Sequence, residues 1–183
     1  MIALAVVSAA ATAIAVATIV TYNRFVARRN KVRDAWSDVD AELRRRHDLI
    51  PNLALVARGY ATHERELLDE VARARAAGEA SDGAERRVGP ERAVVDGLHR
   101  LVAVVEAVPE LRADDHFRIL QRELAVTEDR IAVARRIYNS AVRVYNTGLE
   151  TFPTNLVGRA GRFHRATSFD VDESARHEAP SVA

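Results

Sequence analysis

The sequence predicts an all-α protein in which an N-terminal transmembrane helix leads into an elongated antiparallel bundle, or coiled coil, of three to four long helices. Three observations predict this class: an uncharged N-terminal run, helical spacing of apolar residues after it, and only 8 Gly and 5 Pro in 183 residues. A sandwich or barrel of short strands needs more turn residues than this. The absence of Cys excludes disulfides, thiolate metal sites and Cys nucleophiles.

The N-terminal run, residues 2–20, contains 19 residues without a charge. As a helix it would be about 28 Å long, close to the hydrocarbon thickness of a bilayer, and Tyr22 follows where an interfacial aromatic would lie. We therefore expect residues 1–21 to be a membrane anchor. Two alternatives stay open. A cleaved signal peptide would need a basic segment before its apolar core, and a core helix is rarely apolar on every side over this length.

Five membrane-edge charges follow the run with no acidic residue among them: Arg24, Arg28, Arg29, Lys31 and Arg33. Residues 34–183 carry 22 basic and 26 acidic side chains. The positive-inside rule therefore predicts a single-pass protein of the cell membrane with its body in the cytoplasm. Alternatively, the arginines pair with anionic lipid headgroups on whichever side the body lies. The net charge of +1 argues against a nucleic-acid partner.

Apolar spacing predicts helices over about 25–50, 53–74 and 91–108. Pro51 marks either the start of a new helix or a kink within a continuous one. Residues 78–90 hold three Gly and one Pro, so we expect the main loop there. Asp114 is expected to cap the helix that follows.

The last helix, predicted over 117–149, carries two apolar rows at heptad spacing. The first row is Phe117, Leu124, Ile131, Tyr138 and Tyr145, and the second is Leu120, Thr127, Ala134, Ala141 and Gly148. A helix with so long an apolar stripe needs partner helices, which the preceding part of the chain can supply. Residues 22–157 are therefore expected to form the helical bundle, and the polar residues 158–183 a flexible tail.

Several motifs of this chain resemble the LemA family. They include YNRFV at 22–26, AWSDVD at 35–40, LRRRHDLIPNL at 43–53, GYATHE at 59–64, AVPEL at 107–111, EDRIAVARR at 128–136, YN at 138–139 and 145–146, and FPTNLV at 152–157. The resemblance covers about 22–157. It implies a bacterial-type membrane protein with one N-terminal anchor and a long helical bundle. It implies no particular biochemical activity, because the family has none that is settled.

Local motifs predict no catalytic residue, metal site, cofactor or small-molecule substrate. His63-Glu64 begins like a helical zinc-protease motif, but the second His that this motif requires is replaced by Leu67. Phosphate-binding loops, dinucleotide-binding motifs and nucleophile elbows are likewise not found in the sequence. The basic stretch 44–47 is expected to contact acidic residues of a neighbouring helix, in preference to binding an anion.

Seven residues are candidates for interaction: Tyr138, Asn139, Tyr145, Asn146, Phe152, Pro153 and Asn155. The two Tyr-Asn pairs lie one heptad apart, and either fix the helix register or form a docking surface. The other three lie in a predicted loop, where recognition residues are common. These features predict a non-catalytic scaffold or adaptor that binds the bilayer and another membrane or envelope protein, or itself. An accessory factor of a membrane enzyme such as a peptidase is the alternative, and a hydrolase is a third hypothesis.

Overall fold

The computed structural model describes residues 1–58, 65–109 and 114–171. All regular secondary structure within these ranges is helical, so the all-α fold class is confirmed. The helices are α1 (Ile2–Arg58), α2 (Arg65–Ala80), α3 (Ala84–Glu106), α4 (Asp115–Glu150) and α5 (Thr154–Ala160).

Helix α1 is continuous from Ile2 to Arg58 and contains Pro51 in its interior. A separate helix that begins at Pro51 is therefore wrong, although Pro51 still removes one helical hydrogen bond, to the carbonyl four residues earlier. Residues 2–20 are exposed along their whole length, and the helix is long and apolar enough to cross a membrane. An apolar segment that no other part of the protein covers is a candidate anchor.

The chain divides into two compact units. The first consists of Met1–Ala35 and Ile137–Ser168, and the second of Trp36–Arg136 and Phe169–Ala183. Helices α1 and α4 each contribute residues to both units.

The core of the second unit is one hydrophobic cluster to which α1, α2, α3 and α4 all contribute. Its buried members include Ile50, Val71, Leu98 and Phe117. Helices α2 and α3 come especially close, because Gly97 has no side chain where Val71 lies: a Cβ added to Gly97 would be 2.5 Å from Val71 Cγ2. Burial of each large apolar side chain contributes roughly 1.5–3 kcal/mol, so this cluster is a main source of the unit's stability.

The predicted loop at 78–90 is wrong over most of its length, because α3 begins at Ala84. Contacts distant in sequence hold this first part of α3. The buried Arg87 pairs with Asp40 of α1, and its Nε donates to the Ser81 carbonyl at 3.0 Å. The Gly and Pro content of the segment gives no indication of these contacts.

Helix α4 agrees with its prediction. All five residues of its first apolar row are buried, and so are Thr127, Ala134 and Ala141 of the second. Asp114 caps the helix, since its Oδ1 accepts a hydrogen bond from the Phe117 main-chain N–H at 2.9 Å.

The expected flexible tail differs from the structure over residues 158–171. Helix α5 extends to Ala160, and an irregular stretch follows, in which Phe169 is fully buried with its ring 5.3 Å from that of Trp36. Single aromatic residues in a polar stretch have no periodicity, so the sequence pattern could not indicate this packing. Residues 172–183 lie outside the described residues, and so do Tyr60 and His63 of the GYATHE motif.

Candidate functional site

Two side chains of α4 bind main-chain atoms within the irregular residues 163–171, which we call the C-terminal segment. Asn146 donates from Nδ2 to the Ala166 carbonyl at 2.8 Å and accepts from the Ala166 N–H at 2.9 Å. Tyr138 donates from its hydroxyl to the Thr167 carbonyl at 2.7 Å. We call Tyr138 and Asn146 the clamp. All three bonds go to main-chain atoms, so these hydrogen bonds do not depend on the side chains of Ala166 and Thr167.

The protonation state of the clamp matches this role. Burial raises the pKa of Tyr138, which keeps the hydroxyl neutral and able to donate. Burial also raises the pKa of Tyr145 against the opposing positive charge of Arg29. Both tyrosines therefore remain neutral hydrogen-bonding groups at physiological pH.

An aromatic cluster surrounds the start of the C-terminal segment. The Phe163 ring centroid lies 5.4 Å from that of Tyr22 and 5.3 Å from that of Phe25, and the Arg29 guanidinium lies 5.4 Å from the Phe163 centroid. Phe25 in turn meets Tyr145 edge to face at 6.4 Å. Such aromatic and cation–π contacts add to the free energy of burial, so Phe163 is a second anchor of the segment.

The structure brings some of the predicted interaction residues together and separates others. Tyr138, Tyr145 and Asn146 all lie in the first unit, near the C-terminal segment. Asn139, which follows Tyr138 in the chain, is half buried. Phe152 is 75% exposed and Pro153 is exposed too, in the turn between α4 and α5. Asn155 is partly buried, and its Oδ1 has no hydrogen-bond partner within the described part of the chain.

The membrane-edge charges have different environments. Arg24, Lys31 and Arg33 are exposed, Arg28 is half buried near Gly148, and Arg29 contacts Phe163 as described. Exposure of the first three leaves them accessible to anionic headgroups.

The second unit contains a buried ion cluster of Arg46, His47, Glu91 and Glu128. Arg46 pairs with Glu91 and donates from Nη1 to both Glu128 oxygens, at 3.0 and 3.1 Å. His47 Nε2 lies 3.1 Å from Glu91 Oε1. Glu91 is 0% exposed, and Arg46 and His47 are nearly so. The expectation that this basic stretch contacts acidic residues of neighbouring helices is confirmed for Arg46, whereas Arg44 pairs with Asp40 within α1.

Opposing effects act on the Glu91 carboxyl. Burial raises its pKa, but the hydrogen bond from His47 and the charge of Arg46 outweigh burial, so the pKa lies below its ordinary value. Glu91 is therefore a carboxylate that requires its two basic partners. Sequence reasoning missed it because it lies just after the Gly- and Pro-containing stretch that predicted a loop, and its partners are more than forty residues away.

No group of three or more metal-ligating side chains occurs around the ion cluster or elsewhere within residues 1–58, 65–109 and 114–171. A neighbouring cavity of about 270 Å³ has mostly apolar walls, with Arg46 and Glu128 on its lining. Typical small-molecule sites have roughly 300–1,000 Å³, so this volume gives no positive indication of a ligand.

Comparison with known families identifies the chain. The model described as "LemA family" matches residues 35–183. The chain belongs to the LemA family. The LemA resemblance of the sequence motifs is thereby confirmed, and both the clamp and the ion cluster lie within the matched residues, whereas the membrane-edge charges precede them.

Two curated relatives of this LemA protein are similar over most of its length. They are the magnetosome proteins MamQ 2 and MamQ 1 of Paramagnetospirillum magneticum. Each is 26% identical over an alignment of 194 positions, which covers 91% of this chain and 71% of the relative. Neither name states a catalytic activity.

Proposed function

We propose that this LemA-family protein is a non-catalytic scaffold or adaptor at the cell membrane. It is held by a single N-terminal span and acts by binding another membrane or envelope protein, or a second copy of itself. In this proposal α1 to α4 pack as an elongated antiparallel bundle of the coiled-coil type, whose surfaces form the contacts. The apolar rows of α4 support this arrangement, because the first row is buried throughout and the second over most of its length.

The continuity of α1 is the observation that carries the proposal. One helix contains both the exposed apolar residues 2–20 and the buried Phe25, without an interruption between them. A flexible linker would let the body move freely, whereas a continuous helix transmits a fixed distance and direction from the membrane. A protein held in this way is suited to positioning a partner.

Crosslinking in native membranes, followed by purification, tests the scaffold proposal. We expect a multimer of this chain or a crosslinked product with one other protein. A strict monomer that purifies alone from crosslinked membranes would contradict it.

We further propose that the body lies in the cytoplasm, which the membrane-edge charges support. Because the chain has no Cys, Ser140→Cys, at an exposed site on α4, introduces a unique label. A membrane-impermeant maleimide should label this variant in inverted vesicles and not in intact cells. Labelling of intact cells would place the body on the outside.

An accessory role to a membrane peptidase is the second candidate, and the exposed Phe152 favours it. A large aromatic residue at the tip of a turn is a common recognition feature. Pull-down with the full-length protein should enrich one peptidase, and Phe152→Ala or Asn155→Ala should abolish the enrichment. Leu156→Ala, at another exposed apolar residue of the same region, is the matched control and should leave it unchanged.

A further inference from the structure

We propose that the C-terminal segment of one copy binds the clamp of a second copy, so that two copies exchange segments. This inference rests on the scaffold function proposed above and gives self-association a specific interface. In a single closed copy, the clamp binds the C-terminal segment of its own chain. In the exchanged pair, it binds the same segment of the neighbouring copy.

The chemistry of the clamp permits the exchange. Asn146 and Tyr138 bind main-chain atoms of Ala166 and Thr167, and Phe163 supplies the aromatic anchor. A segment from a second copy carries the same atoms in the same order. Every described contact is therefore retained after exchange, and the two arrangements differ only at the hinge and in the entropy of association.

The hinge lies at the end of α5 and contains backbone strain. Arg162 has φ of 55°, in the left-handed region, directly before the C-terminal segment. The Phe163 N–H bonds to the Gly158 carbonyl at 3.0 Å, and the Arg162 N–H bonds to the Arg159 carbonyl at 3.1 Å. This is the pattern of a helix C-cap whose left-handed position is usually Gly.

An arginine at this position disfavours the closed hinge. The left-handed conformation costs a residue with a Cβ a factor of about 5–30 in population relative to ordinary backbone conformations. When the segment opens toward a neighbour, Arg162 can return to an ordinary φ and the strain is released. The strain therefore shifts the balance toward exchange.

The membrane anchor acts in the same direction. Copies that share one membrane surface meet at a higher effective concentration than free copies in solution, so the entropic cost of pairing is reduced. Strain at the hinge and confinement by the anchor together make exchange a property of the full-length protein in its membrane.

A crosslinking experiment in the Cys-free full-length chain tests exchange directly. Arg165 of the C-terminal segment lies 2.9 Å from Glu150 of α4 through their charged groups, and the two side chains are 71% and 56% exposed. One copy carries Glu150→Cys, and a second, with a different tag, carries Arg165→Cys. Neither change touches the clamp. A short bismaleimide applied to membranes that contain both copies joins the tags only when a segment lies on its neighbour's α4.

Two variants provide the controls. Ala125→Cys replaces Glu150→Cys as a collision control, because Ala125 is exposed and lies about 37 Å from residue 150 along the same helix. Arg162→Gly removes the strain that favours opening and should reduce the product that joins two tags by about 5–30-fold.

The result expected is a two-tag product that clearly exceeds the Ala125→Cys control and falls with Arg162→Gly. A yield equal to the control, or one unchanged by Arg162→Gly, overturns the exchange. If the two tags are joined no more often than in the Ala125→Cys control while native crosslinking still gives a multimer, exchange is wrong and the scaffold function stands. If no multimer or partner forms at all, both proposals fail.

Discussion

At the scale of single residues, the stability of the second unit depends on a carboxylate that the interior tolerates only because two basic groups face it. Glu91 is fully buried beside Arg46 and His47. Removal of one member of a buried ion pair leaves its partner charged and desolvated. The loss of stability is then far larger than the stability that the intact pair contributes. The cluster is therefore expected to be sensitive to substitution.

Glu91→Ala is expected to lower the free energy of unfolding by about 3–5 kcal/mol, because Arg46 is left partly uncompensated in the interior. Chemical denaturation of the full-length protein in detergent measures the loss. Glu70→Ala is the matched control, since Glu70 pairs with Arg100 on the surface at 2.7 Å, and it should change stability little. Equal effects of the two substitutions would contradict the role given to the buried cluster.

The same carboxylate predicts a pH dependence. Its pKa is lower in the folded protein than the ordinary value of 4.5, so the unfolded chain takes up the proton first as the pH falls. The contribution of Glu91 to stability is complete above pH 4.5 and is lost as the pH falls through the lowered pKa. Denaturation between about pH 6 and pH 3 should show a shallower acid dependence for Glu91→Gln than for the parent protein; identical slopes would refute the assignment.

At the scale of secondary structure, α3 contains two glycines with different surroundings. Gly97 allows α2 to approach, because any Cβ there would collide with the stiff, buried Val71. Gly89, on the same helix, has open space around it. The two glycines therefore differ in what an added methyl group would meet.

Gly97→Ala should destabilise the protein by about 1–3 kcal/mol through overpacking, whereas Gly89→Ala should change stability less, because the helix propensity of Ala is opposed by the contact of its Cβ with the following Pro90. Thermal unfolding of the two variants gives the comparison. Val71→Ala combined with Gly97→Ala should recover part of the loss, because it removes the Cγ2 that the new Cβ meets. A Gly97→Ala variant as stable as Gly89→Ala would show that α2 and α3 are not in close contact.

The helices were predictable from sequence where their stabilising pattern is local. The heptad rows of α4 predicted its extent almost to the residue, and Asp114 indicated its start. The first part of α3 was not predictable, because Arg87 and Glu91 are fixed by partners on other helices. The C-terminal segment was missed for the same reason: its contacts come from Tyr138 and Asn146, and it has no periodicity of its own. The two Tyr-Asn pairs were recognised as unusual, but their partner within the chain could not be deduced from spacing.

At the scale of the whole molecule, the N-terminal run is a candidate membrane anchor. Residues 2–20 are exposed, and their apolar surface would be unfavourable in water. The division of the chain into an anchor (1–21), a helical body (22–157) and a tail (158–183) remains a prediction. Residues 158–171 of the expected tail belong to the packed structure.

Ala13→Arg tests the role of the run, because a charge at the centre of a transmembrane helix costs about 2.5–3.5 kcal/mol on the insertion scale. We expect a large fraction of this variant to leave the alkali-resistant membrane fraction, which quantitative blotting measures. Ala125→Arg, at an exposed position of α4, is the matched control and should remain with the membrane. Retention of both variants would show that the run is not the anchor.

The unbroken course of α1 past Tyr22 has a further consequence for how the protein is oriented. Each residue of an α-helix turns the chain by about 100° and advances it by about 1.5 Å. One residue inserted between the apolar run and Tyr22 would therefore barely change the height of Phe25 above the bilayer, yet it would point Phe25 toward a different quarter of the membrane plane. An insertion of seven residues would nearly restore the original heading and raise Phe25 by about 10 Å. The number of residues in this stretch would thus set the direction in which Phe25 faces about the helix axis, independently of how strongly the helix is attached to the membrane.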